Sequence, residues 1–238
     1  MRLSWPRSLT GAPEGALVPL GRIRRTELRD RLAVYFVADP EQTDRDFLAL
    51  VDEALAGGVT SLQLRAKRMP GREMYDLAIT LQERCRSAGT LFFVNDRVDI
   101  AVAADADGVH VGMHDLPLDA TRRLVGQDII IGFSPLAMAD VVGAKSAGAD
   151  YVGLGPVFGT ASKADAQPEL GLLALAEQAA AADLPSVGIG GIDGANAGAV
   201  IRAGVDGVAV ISAIQGAPNV RRAAESLALA VNLAKIER

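Results

Sequence analysis

Cysteine is the scarcest reactive residue of this chain, since its 238 residues include only Cys85. A single cysteine excludes an intrachain disulfide and is typical of a protein that works in a reducing cytoplasm. The sequence has two histidines and no CxxC or paired Cys/His set, so it offers no recognisable zinc site.

Excess positive charge and long apolar runs are missing as well. The formal net charge of −5 argues against a general nucleic-acid binder or a protein that adheres to anionic membrane surfaces. No uninterrupted apolar run is long enough to span a bilayer. We therefore expect no nucleic-acid partner and no membrane partner, and an anionic ligand would need a local cluster of cations.

The N-terminal segment lacks both a periodic pattern and the apolar middle of a secretory signal. It carries arginines and is interrupted by Pro6, Pro13 and Pro19. We predict a flexible extension over residues 1–28 and one folded domain over residues 29–238. A targeting segment, or an upstream start codon that the cell does not use, is the alternative explanation of the extension.

From residue 31 onward, short apolar runs alternate with segments of helical spacing. The runs predict strands over 33–38, 60–64, 91–94, 108–111, 129–132, 151–154, 186–189 and 207–210. The segments between and after them predict helices over 44–56, 72–88, 98–104, 118–125, 138–147, 172–182, 197–203 and 220–234. Short apolar strands alternating with helices are typical of a covered parallel sheet. Eight such units in about 210 residues predict an α/β fold, a closed (β/α)8 TIM barrel, rather than an open sheet.

Two carboxylates follow neighbouring predicted strands, Asp96 after the third and Asp115 after the fourth. Parallel neighbours lie about 5 Å apart, so both acids would emerge at the same edge of the sheet. Two such carboxylates repel each other unless a cation or a proton lies between them. Mg²⁺, held by one or two carboxylates and completed by substrate phosphates, is the natural occupant. Each acid could instead cap the helix that follows it.

Further polar residues and glycines follow other strands, at the end of the barrel where such folds build their sites. They are Gln63, Arg65, Lys67, Asn95, Ser134, Thr160, Ser162, Lys163, Gly191, Ile211 and Ser212. The residues after the last two strands lie where many barrels bind a phosphate. The three cations come from other strands and could neutralise a second, larger anion such as a diphosphate. Two anion sites indicate two phosphorylated substrates.

Several of these residues also have plainer explanations. Arg65 and Lys67 could be solvated loop charges, and Gly190-Gly191 could serve only a tight turn. His110 lies within a predicted strand and is interpreted as a packed or hydrogen-bonded barrel histidine. Tyr35 and Phe36 are interpreted as core side chains, with the alternative that one of them lines the ligand pocket.

Seven motifs of this chain resemble the thiamine phosphate synthase family, in the right order and spacing. They are QLRAK at 63–67, NDRVD at 95–99, GVHVG at 108–112 with DLP at 115–117, IGFS at 131–134, GLGPVF at 153–158 with TASK at 160–163, GIGGI at 188–192 and VISA at 210–213. One glycine motif alone is weak evidence, whereas seven together are specific. The resemblance covers residues 32 to 214.

The resemblance implies an enzyme that joins a hydroxymethylpyrimidine diphosphate to a thiazole phosphate and releases pyrophosphate. It implies that Asp96 and Asp115 bind Mg²⁺. It assigns the pyrimidine diphosphate to Gln63, Arg65, Lys67, Asn95, Ser134 and Lys163, of which all but the glutamine are taken as catalytic. It assigns the thiazole phosphate to Thr160, Ser162, Gly191, Ile211 and Ser212. A homodimer is also expected, from the family habit and the amphipathic last helix.

Three positions depart from the family pattern, and two rival functions stay open. Leu136 stands where the family often has His or Thr, Ser162 where it commonly has Thr, and His114 where it usually has Gln.

The first rival is a thiazole tautomerase-like isomerase on the same barrel, which would need no diphosphate or Mg²⁺ machinery. The second is a non-catalytic accessory protein that binds a phosphorylated ligand.

Overall fold

Eight parallel strands pair in chain order, and the last strand pairs with the first to close a barrel. The computed structural model describes residues 27–160 and 168–238. The strands are β1 Val34–Ala38, β2 Ser61–Leu64, β3 Leu91–Asn95, β4 Gly108–Gly112, β5 Ile130–Ser134, β6 Tyr151–Leu154, β7 Ser186–Ile189 and β8 Gly207–Val210. The predicted α/β TIM barrel in a single domain is therefore confirmed.

One short helix precedes the first strand, and the other helices follow the strands and pack around the barrel. They are α1 Leu28–Arg31, α2 Phe47–Ala56, α3 Gly71–Ala88, α4 Val98–Ala103, α5 Leu118–Val125, α6 Met138–Ala147, α7 Gly171–Ala182, α8 Ala197–Arg202, α9 Ser212–Gln215 and α10 Val220–Ile236, with a 3-10 turn at Pro40–Gln42. The short α1, α9 and 3-10 turn were not predicted, because one turn of helix has no periodicity to detect. Within the described ranges, no helix has the length and apolar character needed to cross a bilayer.

Two predicted boundaries shift for identifiable reasons. The prediction that α2 begins at residue 44 is wrong, because the Asp46 side chain accepts the N–H groups of Leu48 and Ala49 and caps the helix there. Strand β5 extends to Ser134 because that residue pairs with Gly112 of β4. Ser134 therefore lies on a strand and is held by the sheet, instead of belonging to a loop.

A repeated hydrogen bond ties the strands together at the N-terminal end of the barrel. The residue before each even-numbered strand accepts a backbone N–H near the start of the preceding strand, at 2.8 to 2.9 Å. The four acceptor–donor pairs are Thr60–Val34, Asp107–Phe92, Asp150–Ile131 and Asp206–Ser186. Burial raises the pKa of the Asp107 carboxyl. These bonds satisfy strand donors that would otherwise be left without a partner.

The barrel interior is packed with large side chains below its C-terminal mouth. Tyr35, Phe93 and Tyr151 meet at ring-centroid distances of 5.3 to 6.0 Å. Leu28 and Leu32 of the α1 region belong to the same buried cluster. A second and larger cluster lies between the strands and the helices, and it includes Cys85. Open space inside the barrel is thereby confined to the end where the strands finish.

We expect Asp150→Ala to lower the free energy of unfolding by about 2–4 kcal/mol, because Asp150 is buried, caps Ile131 and pairs with Arg122. The matched control is Asp76→Ala, which removes an exposed ion pair on α3 and should cost at most about 0.5 kcal/mol. Urea unfolding monitored by circular dichroism measures both. Equal costs would contradict the structural role of the cap.

Candidate active site

One cavity of about 380 Å³ opens between the carboxyl ends of the strands. It is lined by Gln63, Arg65, Lys67, Asn95, Asp96, Asp115, Ser134, Thr160, Gly191, Ile211 and Ser212. These are the sequence-predicted site residues within the described ranges. Ser162 and Lys163 lie outside the described residues. The barrel thus gathers residues from seven strands or strand ends around a space the size of a small molecule.

The two carboxylates approach each other closely at one side of this cavity. Asp96 follows β3 with a φ of 61°, a left-handed conformation that few non-glycine residues adopt. Its N–H donates to the carbonyl of His110 on β4 at 2.8 Å. The Asp115 side chain accepts the N–H of Gly112 at 2.8 Å. Backbone contacts to β4 therefore hold both acids in place.

The closeness of the pair changes the acidity of Asp96. Burial and the neighbouring Asp115 carboxylate raise the pKa of Asp96 to about 6, while Lys67 opposes the change. The Lys67 Nζ lies 3.6 Å from Asp96 Oδ2. Helix capping does not explain the pair. The N-cap residues of α4 and α5 are Arg97 and Pro117, and within the described residues neither helix has a side-chain capping bond.

The donor set of the pair suits a hard cation. Both side chains offer carboxylate oxygens, and within the described residues no group of three or more His, Cys, Asp or Glu side chains could hold a metal. The protein alone therefore does not surround a metal ion. An ion held by two carboxylates and completed by ligand phosphates is the arrangement that Mg²⁺ prefers.

Arg65 is fixed at the mouth by a buried acid that the sequence did not single out. Its guanidinium pairs with Asp39, whose side chain is 1% exposed and also accepts Gln42 Nε2 at 2.6 Å. The backbone of Asp39 is held in turn by Gln215, through bonds of 3.0 and 2.7 Å. Arg65 is 12% exposed, so the alternative explanation of Arg65 as a solvated loop charge does not hold, whereas Lys67 is 47% exposed.

The opposite wall of the cavity is built from backbone turns. Gly190 and Gly191 both have positive φ, and a Cβ on Gly191 would lie 2.6 Å from the carbonyl oxygen of Gly159. The N–H of Phe158 donates to the carbonyl of Gly190 at 3.0 Å. The turn after β7 therefore requires glycine for packing against the loop after β6, whatever it binds. The same packing brings Thr160 and Gly191 to one side of the cavity.

Polar side chains also cross the floor of the cavity. Gln63 Nε2 donates to the Tyr35 hydroxyl at 2.9 Å, and that hydroxyl lies 2.8 Å from the Tyr151 hydroxyl. His110 bonds to Tyr151 through Nδ1 at 2.9 Å and to Ser134 through Nε2 at 2.8 Å. The prediction of a hydrogen-bonded barrel histidine is confirmed. Tyr151 was missed, because its partners Tyr35 and His110 lie far from it in the sequence.

The fold and the site together define a class of protein. A closed (β/α)8 barrel with its cavity at the strand ends is the architecture of an enzyme, and this mouth combines acids, fixed cations and glycine turns. Those groups suit phosphorylated small molecules.

Comparison with known proteins identifies the family to which the chain belongs. A family model described as thiamine monophosphate synthase matches residues 34–214. A thiamine-phosphate synthase from Methanoculleus marisnigri is 52% identical over 184 residues, which is 77% of this chain and 87% of that one. The structure of a thiamine phosphate pyrophosphorylase from Pyrococcus furiosus has a TM-score of 0.80 and 40% identity, covering 87% of this chain and 98% of that one. The chain belongs to the thiamine monophosphate synthase family, and the resemblance seen in its motifs is confirmed.

We expect Asp96→Asn to stabilise the protein in EDTA at pH 8, by about 1–2 kcal/mol after allowance for solvent screening. The folded-state pKa of Asp96 is raised, so the wild type loses stability as this group ionises with rising pH, and the amide does not. The gain should shrink below pH 6 and close toward pH 4. Urea unfolding at several pH values measures it.

The control for this experiment is Asp99→Asn, three residues along the chain. Arg97 lowers the pKa of the Asp99 carboxyl, so this substitution should give no gain at pH 8. An Asp96→Asn variant less stable than the wild type at pH 8 in EDTA would show that the carboxylate pair is not a source of repulsion.

Proposed function

We propose that this chain condenses 4-amino-2-methyl-5-(diphosphooxymethyl)pyrimidine with 4-methyl-5-(2-phosphooxyethyl)thiazole to give thiamine phosphate and pyrophosphate. The observation that carries the proposal is the meeting of the Asp96–Asp115 pair with Lys67 and Arg65 in one cavity. Membership of the thiamine monophosphate synthase family supports it. The glycine turns on the opposite wall leave room for a second phosphorylated substrate.

The proposed reaction begins with cleavage of the C–O bond between the pyrimidine methylene and the diphosphate. The bonding electrons leave with the diphosphate, and the ring amino group stabilises the cation on the methylene carbon. The thiazole nitrogen then donates its lone pair to that carbon. This nitrogen is already nucleophilic, so the step needs no general base from the protein. The residues at the mouth therefore act by stabilising charge and orienting the substrates, more than by acid or base catalysis.

The cations act on the charge that develops during C–O cleavage. Negative charge grows on the departing diphosphate, so Arg65 and Lys67 stabilise the transition state more than the ground state. Arg65 is held by Asp39 before substrate arrives, which lowers the reorganisation needed at the moment of reaction. Lys163 is proposed to join them, although it lies outside the described residues.

Asp96 and Asp115 would hold Mg²⁺ at this end of the cavity. When bound, the ion would supply positive charge to the leaving diphosphate. The oxygen donors, the mutual repulsion of the two acids and the small number of protein ligands all fit this ion.

The remaining site residues would position the two substrates. Gln63, Asn95 and Ser134 would orient the pyrimidine diphosphate by hydrogen bonds. The thiazole phosphate would be bound by Thr160, Ser162, Gly191, Ile211 and Ser212. Asn95 ends β3 beside Asp96, so the sheet fixes its position relative to the acids.

The two rival functions use less of this site. A thiazole tautomerase-like isomerase or a non-catalytic phosphate-binding protein would not need the carboxylate pair, Lys67 and the anchored Arg65 together. The homodimer and the cytoplasmic location stay predictions. The last helix, α10, carries the exposed apolar side chains Leu229, Leu233 and Ile236.

The test of the function is an incubation of the pure protein with both substrates and Mg²⁺, followed by detection of thiamine phosphate and pyrophosphate. We expect both products in equal amounts. Isomerisation of the thiazole without pyrophosphate release would favour the tautomerase, and binding without any product would favour the accessory protein.

We expect Asp96→Ala to lower turnover by about 10²-fold or more in the same assay, because the leaving diphosphate would lose its cation. Circular dichroism should show an unchanged fold. Asp99→Ala is the control, since Asp99 is exposed and pairs with Arg97, and it should keep near wild-type activity. Full activity in EDTA would contradict the metal assignment.

A further inference from the structure

A line of hydrogen bonds connects two of the proposed substrate contacts through the inside of the barrel. It runs from Gln63 through Tyr35, Tyr151 and His110 to Ser134, with four successive bonds of 2.8 to 2.9 Å. The tyrosines are fully buried, at 1% and 0% exposed. The proposed reaction uses the two ends of this line and gives no role to its three middle members.

The donors and acceptors along the line are compatible with one continuous direction that starts at Gln63. In that direction Gln63 Nε2 donates to the Tyr35 oxygen, and the single proton of Tyr35 is directed to Tyr151. In the same direction Tyr151 donates to His110 Nδ1. Burial raises the pKa of both phenols, so each keeps the proton that the line requires. His110 is then neutral with its proton on Nε2, which donates to Ser134.

The ends of the line are therefore polarised in opposite senses. At one end the Gln63 carbonyl oxygen is left to accept a hydrogen bond from a ligand. At the other end Ser134 accepts from His110, so its own proton is left to donate. Both residues line the cavity. A heteroaromatic ring with an amino donor, on a substrate that also carries acceptor atoms, matches this polarity.

The sheet makes room for the middle of the line. A Cβ on Gly132 would lie 2.2 Å from Cζ of Tyr151 and 2.4 Å from Nδ1 of His110. Gly132 also pairs with both His110 and Tyr151 in the strand register. Two buried tyrosines and a half-buried histidine are a costly way to fill a barrel compared with apolar side chains unless each is hydrogen-bonded. Here each of the three has its bonds.

We propose that Tyr35, Tyr151 and His110 are positioning residues that fix the hydrogen-bond polarity of the cavity floor, so that Gln63 accepts from the ring amino group and Ser134 donates to the same aminopyrimidine substrate. This inference rests on the proposed function for the identity of the substrate. The proposed direction of the line concerns the ligand-free protein and does not depend on the identity of the substrate.

The variant Tyr151→Phe breaks the line in its middle and tests the inference. We expect kcat/KM for the pyrimidine diphosphate to fall about 10-fold or more, because a buried hydrogen-bond partner is lost. The KM for the thiazole phosphate should stay unchanged, as should the melting temperature within a few degrees. Equal effects on the two substrates would indicate a merely structural role and overturn the inference, as would an unchanged kcat/KM.

Two further variants serve as a control and as a second test of the inference. Tyr75→Phe removes a hydroxyl from α3 on the outside of the barrel, so it should leave both substrates unaffected. Tyr35→Phe detaches Gln63 from the line and should reproduce the loss seen with Tyr151→Phe. It carries the test if Tyr151→Phe does not fold.

A second measurement does not depend on activity. The chain has two histidines, so a long-range ¹⁵N–¹H spectrum of the ligand-free protein resolves His110 once His114→Gln has assigned the other. We expect the Nε2–H tautomer in the wild type and a mixture of tautomers in Tyr151→Phe. An Nδ1–H tautomer in the wild type would overturn the inference. Failure of the wild type to form thiamine phosphate would overturn the proposed function instead, while the tautomer would still test the line.

Discussion

The repulsion between Asp96 and Asp115 is the constraint around which the mouth of this barrel is organised. Parallel strand pairing brings the ends of β3 and β4 together, and backbone bonds to His110 and Gly112 hold the two acids there. The raised pKa of Asp96 records the cost of that closeness. A fold tolerates such a cost where a ligand relieves it, and the nearby Lys67 relieves only part. The other charged and polar groups at the mouth fit the anion that such a cation would bind.

The N-terminal end of the barrel is held firmly, and this stability offsets the repulsion between the two acids at the mouth. The N-terminal end is tied by four side-chain caps and closed by Leu28 and Leu32, while aromatic rings fill the space above them. The caps and the two leucines contribute stability without touching the cavity. The carboxylate pair therefore lies at one end of the barrel, and the strand caps and leucine packing lie at the other.

The barrel could be predicted from the sequence alone because each strand and helix has its own local pattern of apolar residues. Alternating apolar and helical segments suffice for the order of elements, and the barrel rule then places the strand ends at one rim. Asp96, Asp115 and Arg65 could be named on that basis. Their closeness, and the burial of Arg65 against Asp39, depend on three-dimensional packing and could not be read from spacing.

The contacts that the sequence did not reveal join residues far apart in the chain. Tyr35 and Tyr151 are separated by 116 positions, and Asp39 and Gln215 by 176. No local pattern marks which inward-facing residues meet across a barrel, so the line from Gln63 to Ser134 and the anchor of Arg65 emerged only from the fold. An Asp stands directly before β4, β6 and β8, but its role in capping the preceding strand could be seen only from the strand register.

The central claim is that the acid pair binds a cation whose partner is the diphosphate, and the coupling between Mg²⁺ and pyrophosphate binding tests it most directly. Calorimetric titration of pyrophosphate into the protein, with and without Mg²⁺, measures that coupling. The account predicts that Mg²⁺ tightens pyrophosphate binding by about 10-fold or more, and that Asp96→Asn with Asp115→Asn abolishes the effect. Equal affinity for pyrophosphate with and without Mg²⁺ in the wild type would contradict it.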